Sequence, residues 1–256
     1  MPLNKPSSPA LPWVDDKTPL PPPEQAWGGQ SPAPGLLAAG GRLDTPILKH
    51  AYQQGCFPWY SDNQPILWWS PDPRMVLYTD AFEIKRSLKK ILKKFIQSDS
   101  CEIRFDSCFS DVIEHCAHAD RAGQNGTWIL PEMIDAYVQF HRDGFAHSVE
   151  VWENNQLIGG LYGVCIGKAM FGESMFSLQT DASKIALAAL VAFCKTSGIQ
   201  MIDCQQNTRH LASLGGQEIT RADFLFQIAK TRELPSPNWR FDPLYWNQVI
   251  PSPQKL

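Results

Sequence analysis

The chain has 256 residues, 43% of them hydrophobic and 19% charged, enough for a sizeable core in one large domain or in a small one beside a larger one. A formal net charge of −3 argues against indiscriminate nucleic-acid binding but leaves room for a local basic patch. Seven Cys, an odd number with no C-x-x-C pair, argue against a disulfide framework. No run of about 18 apolar residues reads as a membrane span. Residues Met1 to Ala10, with one Lys and three Pro, lack the apolar stretch of a signal peptide, so the expected location is cytoplasmic.

In chain order, Met1 to Pro34 is rich in Pro, Gly and Ser and reads as an extended arm. A short helix is expected from Asp44 or Thr45 to about Gln54, with Pro46 in its first turn and Gly55 as its stop. The aromatic, proline-punctuated stretch from Phe57 to Arg74 reads as a rigid, loop-built surface. A small N-terminal domain over residues 1–73 and a larger one over 74–256 follow from this division. Met75 to Tyr78 reads as a strand and Glu83 to Ile96 as a helix, with Leu88, Ile91, Leu92 and Phe95 on one face. Lys85, Arg86, Lys89, Lys90, Lys93 and Lys94 fill the rest of that helix, either as a solvated face or as a phosphate-binding surface.

Helices over Phe109 to Ala117 and Pro131 to Arg142 flank a loop at Ala122 to Thr127. Strands follow at His147 to Trp152, Leu157 to Ile166 and Ala169 to Phe176. A strongly apolar helix from Ala182 to Thr196 leads to a buried strand at Ile199 to Cys204, and Thr220 can cap a last helix to Arg232. This order gives an α+β fold with helices on a mainly antiparallel sheet.

Several familiar chemistries fit poorly. His115 and His118 can share a helix face, but no second cluster completes a four-ligand site, and convergence of His141, His147 and His210 is not legible; no metal is expected. Ser174 does not sit in a G-x-S-x-G elbow, and Cys204 reads as a small hydrophobe. What stands out is charge inside apolar strands: Glu173 within Phe171 to Phe176, and Asp203 with Gln205, which period two places on one face. An unpaired charge in such a strand is costly, so each needs a partner or a task.

At these residues the chain resembles the leucyl/phenylalanyl-tRNA–protein transferase family. The resemblance is carried by Gly35 to Gly41, Ala51-Tyr-Gln-Gln-Gly-Cys-Phe-Pro-Trp59, Pro65-Ile-Leu-Trp-Trp-Ser-Pro-Asp-Pro-Arg74 and Gly126-Thr-Trp-Ile129. It continues through Ala146-His-Ser-Val-Glu-Val-Trp152, Gly172-Glu-Ser-Met-Phe-Ser177, Ile202-Asp-Cys-Gln205 and Leu211-Ala-Ser-Leu-Gly215. Arg42, Glu83, Gly216 and a longer loop before Trp128 depart from the family pattern, and none touches the strings that would carry chemistry.

The resemblance implies an acetyltransferase-like (GNAT) C-terminal domain and no metal or coenzyme. It implies transfer of Leu or Phe, sometimes Met, from aminoacyl-tRNA to proteins that begin with Arg or Lys, marking them for degradation through the N-degron pathway. A monomer is expected. Asp203 becomes the candidate base for the acceptor amine, or the group that holds its ammonium, with Gln205 orienting it. Glu173 becomes the candidate partner of the transferred amino acid's ammonium. Leu161, Met170, Met175, Leu190 and Ile202 would line its side-chain pocket, and Trp59 and Trp128 would stack on the terminal adenine. Residues Lys85 to Lys94 would meet acceptor-stem phosphates. Two other readings stay in view: an acyl-CoA-dependent acetyltransferase, which lacks a pyrophosphate loop here, and a non-catalytic RNA-binding protein.

Overall fold

The computed structural model describes residues 10–15, 18–119 and 129–250. It is an α+β protein with two sheets. The smaller sheet runs β1-β2-β4-β3, from β1 (Trp13–Val14), β2 (Leu36–Gly40), β3 (Phe57–Pro58) and β4 (Leu67–Trp69). Helix α1 (Thr45–Gln53) joins β2 to β3. The side chain of Asp44 accepts the Ile47 amide at 3.0 Å, and Gly55 follows the helix at φ +71°, as the start and stop signals require. The aromatic stretch expected to be loop-built instead contains two short strands. Trp68 is wholly buried there and its indole donates to the Gly40 carbonyl at 3.0 Å, so the ring ties β4 to β2.

The larger sheet is built from β5 (Arg74–Tyr78), β6 (Cys101–Phe105), β7 (Ala146–Glu153), β8 (Gln156–Ile166), β9 (Ala169–Ser177), β10 (Met201–Gln205) and β11 (Gln217–Ile219). Its order is β11-β5-β10-β9-β8-β7-β6, and β9 with β10 is the parallel pair in an otherwise antiparallel ladder. Parallel neighbours need a crossover, and helix α5 (Ala182–Ser197) supplies it. Along β8 alternate residues face opposite ways. Tyr162, Val164 and Ile166 join an apolar cluster with the small sheet, α1, α3 (Phe109–Ala117) and α4 (Pro131–Arg142). Leu161 and Cys165 join a second cluster with α5 and α2 (Arg86–Ile96).

Helix α5 is apolar on nearly every side because both of its faces are covered. The sheet lies under one face. Over the other runs a C-terminal segment that the periodicity did not assign, in which Trp239 packs 4.7 Å from Phe193 and Trp246 is buried. Helix α2 begins at Arg86 and not at Glu83. The Glu83 amide donates to the Leu214 carbonyl at 2.9 Å, so the backbone there is committed to another loop. Strand β10 begins at Met201, two residues later than expected, and β6 had no sequence signal of its own. Among the described residues no helix is long and apolar enough to cross a membrane.

The loop from β10 returns through α6 (Arg209–Ala212) and β11 to α7 (Arg221–Thr231), whose first turn is capped by Thr220. Gly215 fixes this return. It sits at φ +98°, and a Cβ there would lie 2.1 Å from the Ala81 carbonyl oxygen. The Gly215→Ala variant is therefore expected to lose roughly 1–3 kcal/mol, read as a lowered thermal midpoint. An unchanged midpoint would mean that the loop does not hold this approach.

Candidate active site

A pocket of about 970 Å³ opens where β8, β9, α5 and β10 meet. Leu161 comes from β8, Met175 from β9, Leu187 and Leu190 from α5, and Ile202 from β10, giving an apolar wall. Glu173 and Cys204 stand at its polar end, and Thr208, Arg209, His210 and Leu211 form its rim. This size suits a ligand larger than one side chain. The wall is flexible Leu, Ile and Met, which admits branched and aromatic occupants alike.

Behind the polar end, the acidic and cationic groups form one chain of hydrogen bonds. Arg74, at the start of β5, donates Nε to Asp203 Oδ1 at 2.8 Å and Nη2 to Oδ2 at 2.6 Å. Both residues are essentially without solvent exposure, at 1% and 0%. The guanidinium lies 4.9 Å from the Phe57 ring centre and 4.4 Å from that of Phe224. Asp203 Oδ1 also accepts the Gln205 backbone amide at 2.9 Å. A bulge between Asp203 and Gln205 breaks the simple alternation, and Gln205 takes φ +61°. The bulge sends its side chain towards β9, where Nε2 donates to Glu173 Oε1 at 3.0 Å.

The second oxygen of Glu173, Oε2, is buried, with the Tyr52 and Tyr137 hydroxyls near enough to act on the carboxyl. Burial pushes the Glu173 carboxyl up to about 7. The Tyr52 hydroxyl and the Gln205 amide oppose the rise, while the nearby Asp203 charge adds to it. Tyr52 and Tyr137 hydrogen-bond to each other beside it, both fully buried. Burial and the Glu173 charge raise both phenols well above their ordinary value, so they are neutral donors.

The structure thus gathers Leu161, Met175, Leu190, Ile202 and Glu173 around one pocket, with Gln205 and Asp203 in line behind Glu173. Met170 does not line it. Its terminal methyl packs on Gly163, where a Cβ would come within 2.6 Å. Trp59 directly follows β3, its amide donating to the Leu67 carbonyl at 2.9 Å, and lies edge-on to Trp69 at 5.4 Å and outside the lining. Trp128 and the loop before it lie outside the described residues. Lys85, Arg86, Lys89, Lys90, Lys93 and Lys94 are all exposed, and no carboxylate among the described residues pairs with them. His141 and His147 converge on Asp106, whose Oδ2 lies 2.8 Å from His147 Nδ1, whereas His210 sits apart at the pocket rim.

Sequence reasoning gave no role to Arg74, Tyr52, Tyr137 or Leu187. A charge at the head of the apolar strand Met75 to Tyr78 was a signal for Arg74, because such a charge needs a partner. The tyrosines carry no such signal, since each also fits a helix's apolar face.

Residues 76–229 match a family described as leucyl/phenylalanyl-tRNA protein transferase, and residues 41–72 match that family's N-terminal domain. A leucyl/phenylalanyl-tRNA–protein transferase of Polaromonas is 58% identical over 94% of this chain and 94% of its own length. One of Albidiferax ferrireducens is 57% identical over 94% and 95%. Among solved structures, a conserved protein of Staphylococcus epidermidis aligns with a TM-score of 0.36 and 10% identity over 72% of this chain and 68% of that one, too slight a likeness to assign a fold. The matches cover nearly the whole chain at high identity, and the chain belongs to the leucyl/phenylalanyl-tRNA protein transferase family.

Proposed function

We propose that the pocket holds the amino-acid end of an aminoacyl-tRNA while the protein transfers Leu or Phe to an acceptor protein. The observation that carries this reading is the Glu173 carboxyl at the lining of an apolar pocket, held from behind by Gln205. A side chain such as Leu or Phe fills the wall formed by Leu161, Met175, Leu187, Leu190 and Ile202, and the α-ammonium meets Glu173. Met fits the same wall as a third donor.

The reaction is aminolysis of an ester that is already activated. The acceptor's neutral amine attacks the ester carbonyl, the new C–N bond forms, and the bond to the ribose oxygen breaks. That oxygen leaves with a proton, and the amine gives one up. Holding the two reactants together supplies much of the acceleration. Glu173 is the residue we place against the substrate. Gln205 fixes its orientation through the 3.0 Å bond. Asp203, with both oxygens engaged by Arg74, is a positioning residue that holds the Gln205 backbone. The departing ribose oxygen is then the proton's destination.

The central sheet, with its parallel β9–β10 pair bridged by α5, supports an acetyltransferase-like layout for residues 74–256, with residues 1–73 as the smaller domain. We read the acceptor as a protein beginning with Arg or Lys, the enzyme as a monomer and the location as cytoplasmic. The basic face of α2 is the surface for acceptor-stem phosphates, and Trp59 and Trp128 remain our candidates for the adenine.

The test is transfer of labelled Leu from leucyl-tRNA to a peptide beginning with Arg, beside the same peptide beginning with Ala, at two salt concentrations. Labelling of the Arg peptide alone, weaker at high salt, is the expected result. Equal labelling of both peptides would remove the acceptor preference. No labelling by folded protein would remove the transfer reading.

A further inference from the structure

The pocket rim carries a cation that the transfer reading does not yet use. Arg209 lines the mouth, is exposed, and its guanidinium has no hydrogen-bond or ion-pair partner among the described residues. Lys184, whose charge is felt at His210, does not line the pocket and is held by Asp181 Oδ1 at 2.5 Å. His210 beside it is kept below its ordinary value by partial burial and the Lys184 charge, so it adds little positive charge at neutral pH. Among the described residues that line the pocket, Arg209 is the unpaired cation.

Its place in the fold gives it direction. The rim residues lead through Leu211 to Leu214, whose carbonyl accepts the Glu83 amide at 2.9 Å, just before the basic helix α2 begins at Arg86. Leu214 also packs in the apolar cluster shared by Leu88 and Leu92 of α2 and by Leu161, Leu190 and Ile202 of the pocket wall. The pocket rim at Arg209 is thus joined by a short stretch of chain to the loop that meets the start of α2. In an aminoacyl-tRNA the amino acid is esterified to the terminal nucleoside, and the first phosphodiester is attached to that same nucleoside. With the amino acid seated on Glu173, this phosphate is the first negative charge outside the pocket.

We propose that Arg209 binds the phosphodiester on the 5′ side of the terminal nucleoside, and so steers the single-stranded end from helix α2 into the pocket. This rests on the transfer reading above. Arg suits the role because its planar fork matches phosphate oxygens. An acceptor with a cationic first residue is repelled from this side, which reserves it for the donor.

The test compares three donors: leucyl-tRNA, the leucyl ester of the dinucleotide CpA, and leucyl-adenosine, which has no phosphate. The Arg209→Gln variant is expected to raise KM about tenfold for leucyl-tRNA and for leucyl-CpA with kcat unchanged. It should match wild type with leucyl-adenosine. The salt slope with leucyl-tRNA should fall by about 0.7, and Arg209→Lys should recover part of the loss. An equal loss with leucyl-adenosine would overturn the proposal by placing Arg209 on the pocket or the acceptor. No loss with leucyl-tRNA would overturn it outright, and a loss with leucyl-tRNA but not with leucyl-CpA would move the contact to a different phosphate. Wild-type protein that transfers from none of the three donors would instead defeat the transfer reading itself.

Discussion

Replacing Arg74 by Met is expected to lower stability by roughly 3–5 kcal/mol, the usual cost of leaving one charge of a buried pair alone. For a chain of this size that corresponds to about 6–20 °C in the thermal midpoint. Arg74 and Asp203 are 1% and 0% exposed and share two hydrogen bonds, so removing the guanidinium leaves the Asp203 charge buried without its counter-ion. The rings of Phe57 and Phe224 beside the guanidinium lose their cation as well. The double variant Arg74→Met, Asp203→Leu removes both charges, and much of the lost stability should return. Activity should not return with it. Without Asp203 nothing accepts the Gln205 amide, the bulge relaxes, and Glu173 loses its orienting bond. A single variant melting within about 1 kcal/mol of wild type would show that the pair is not the structural clamp described here.

The second large effect concerns Glu173. Changing it to Gln keeps the shape and removes the charge that faces the donor's α-ammonium, and kcat/KM with leucyl-tRNA should fall at least ~10²-fold. The pH profile separates this from a packing defect. Wild-type activity should rise as Glu173 ionises through about 7 and rise again as the acceptor amine loses its proton near ~8. The Gln variant should keep only the upper step.

Stability should move in the opposite sense. The Glu173 carboxyl is raised from 4.5 to about 7, so the native state holds a proton that the unfolded chain has already released in this window. Stability from this group is therefore lost as pH climbs from about 4.5 to 7, by at most about 3 kcal/mol. The Gln variant should lack that decline and be the more stable protein at pH 8. Full activity in the variant, or an unchanged two-step profile, would move the ammonium contact to another residue.

Much of the frame is legible along the chain because it depends on neighbours in sequence. The apolar spacing of Leu88, Leu92 and Phe95, the caps at Asp44 and Thr220 and the turns that bound the glycine-containing strand β8 act over a few residues, and the elements appear close to where they were expected. The strings around Trp68, Glu173 and Asp203 also placed the chain in its family. By the same logic, charges in apolar strands had to be partnered, although the partner could not be named.

Which groups meet was decided only by tertiary structure. Arg74 and Asp203 are 129 residues apart and become neighbours because β5 pairs with β10. Strict alternation puts Asp203 and Gln205 on one face, but the bulge turns Gln205 towards Glu173 on the adjacent strand. Leu, Ile and Met serve a pocket wall or a core equally well, so packing alone separates Met175 at the pocket from Met170 in the core. The sequence by itself determined which residue types the chemistry has available; the long-range pairing of strands determined which of them face the substrate, because hydrogen bonds and desolvation act over a few ångströms of space and not along the chain.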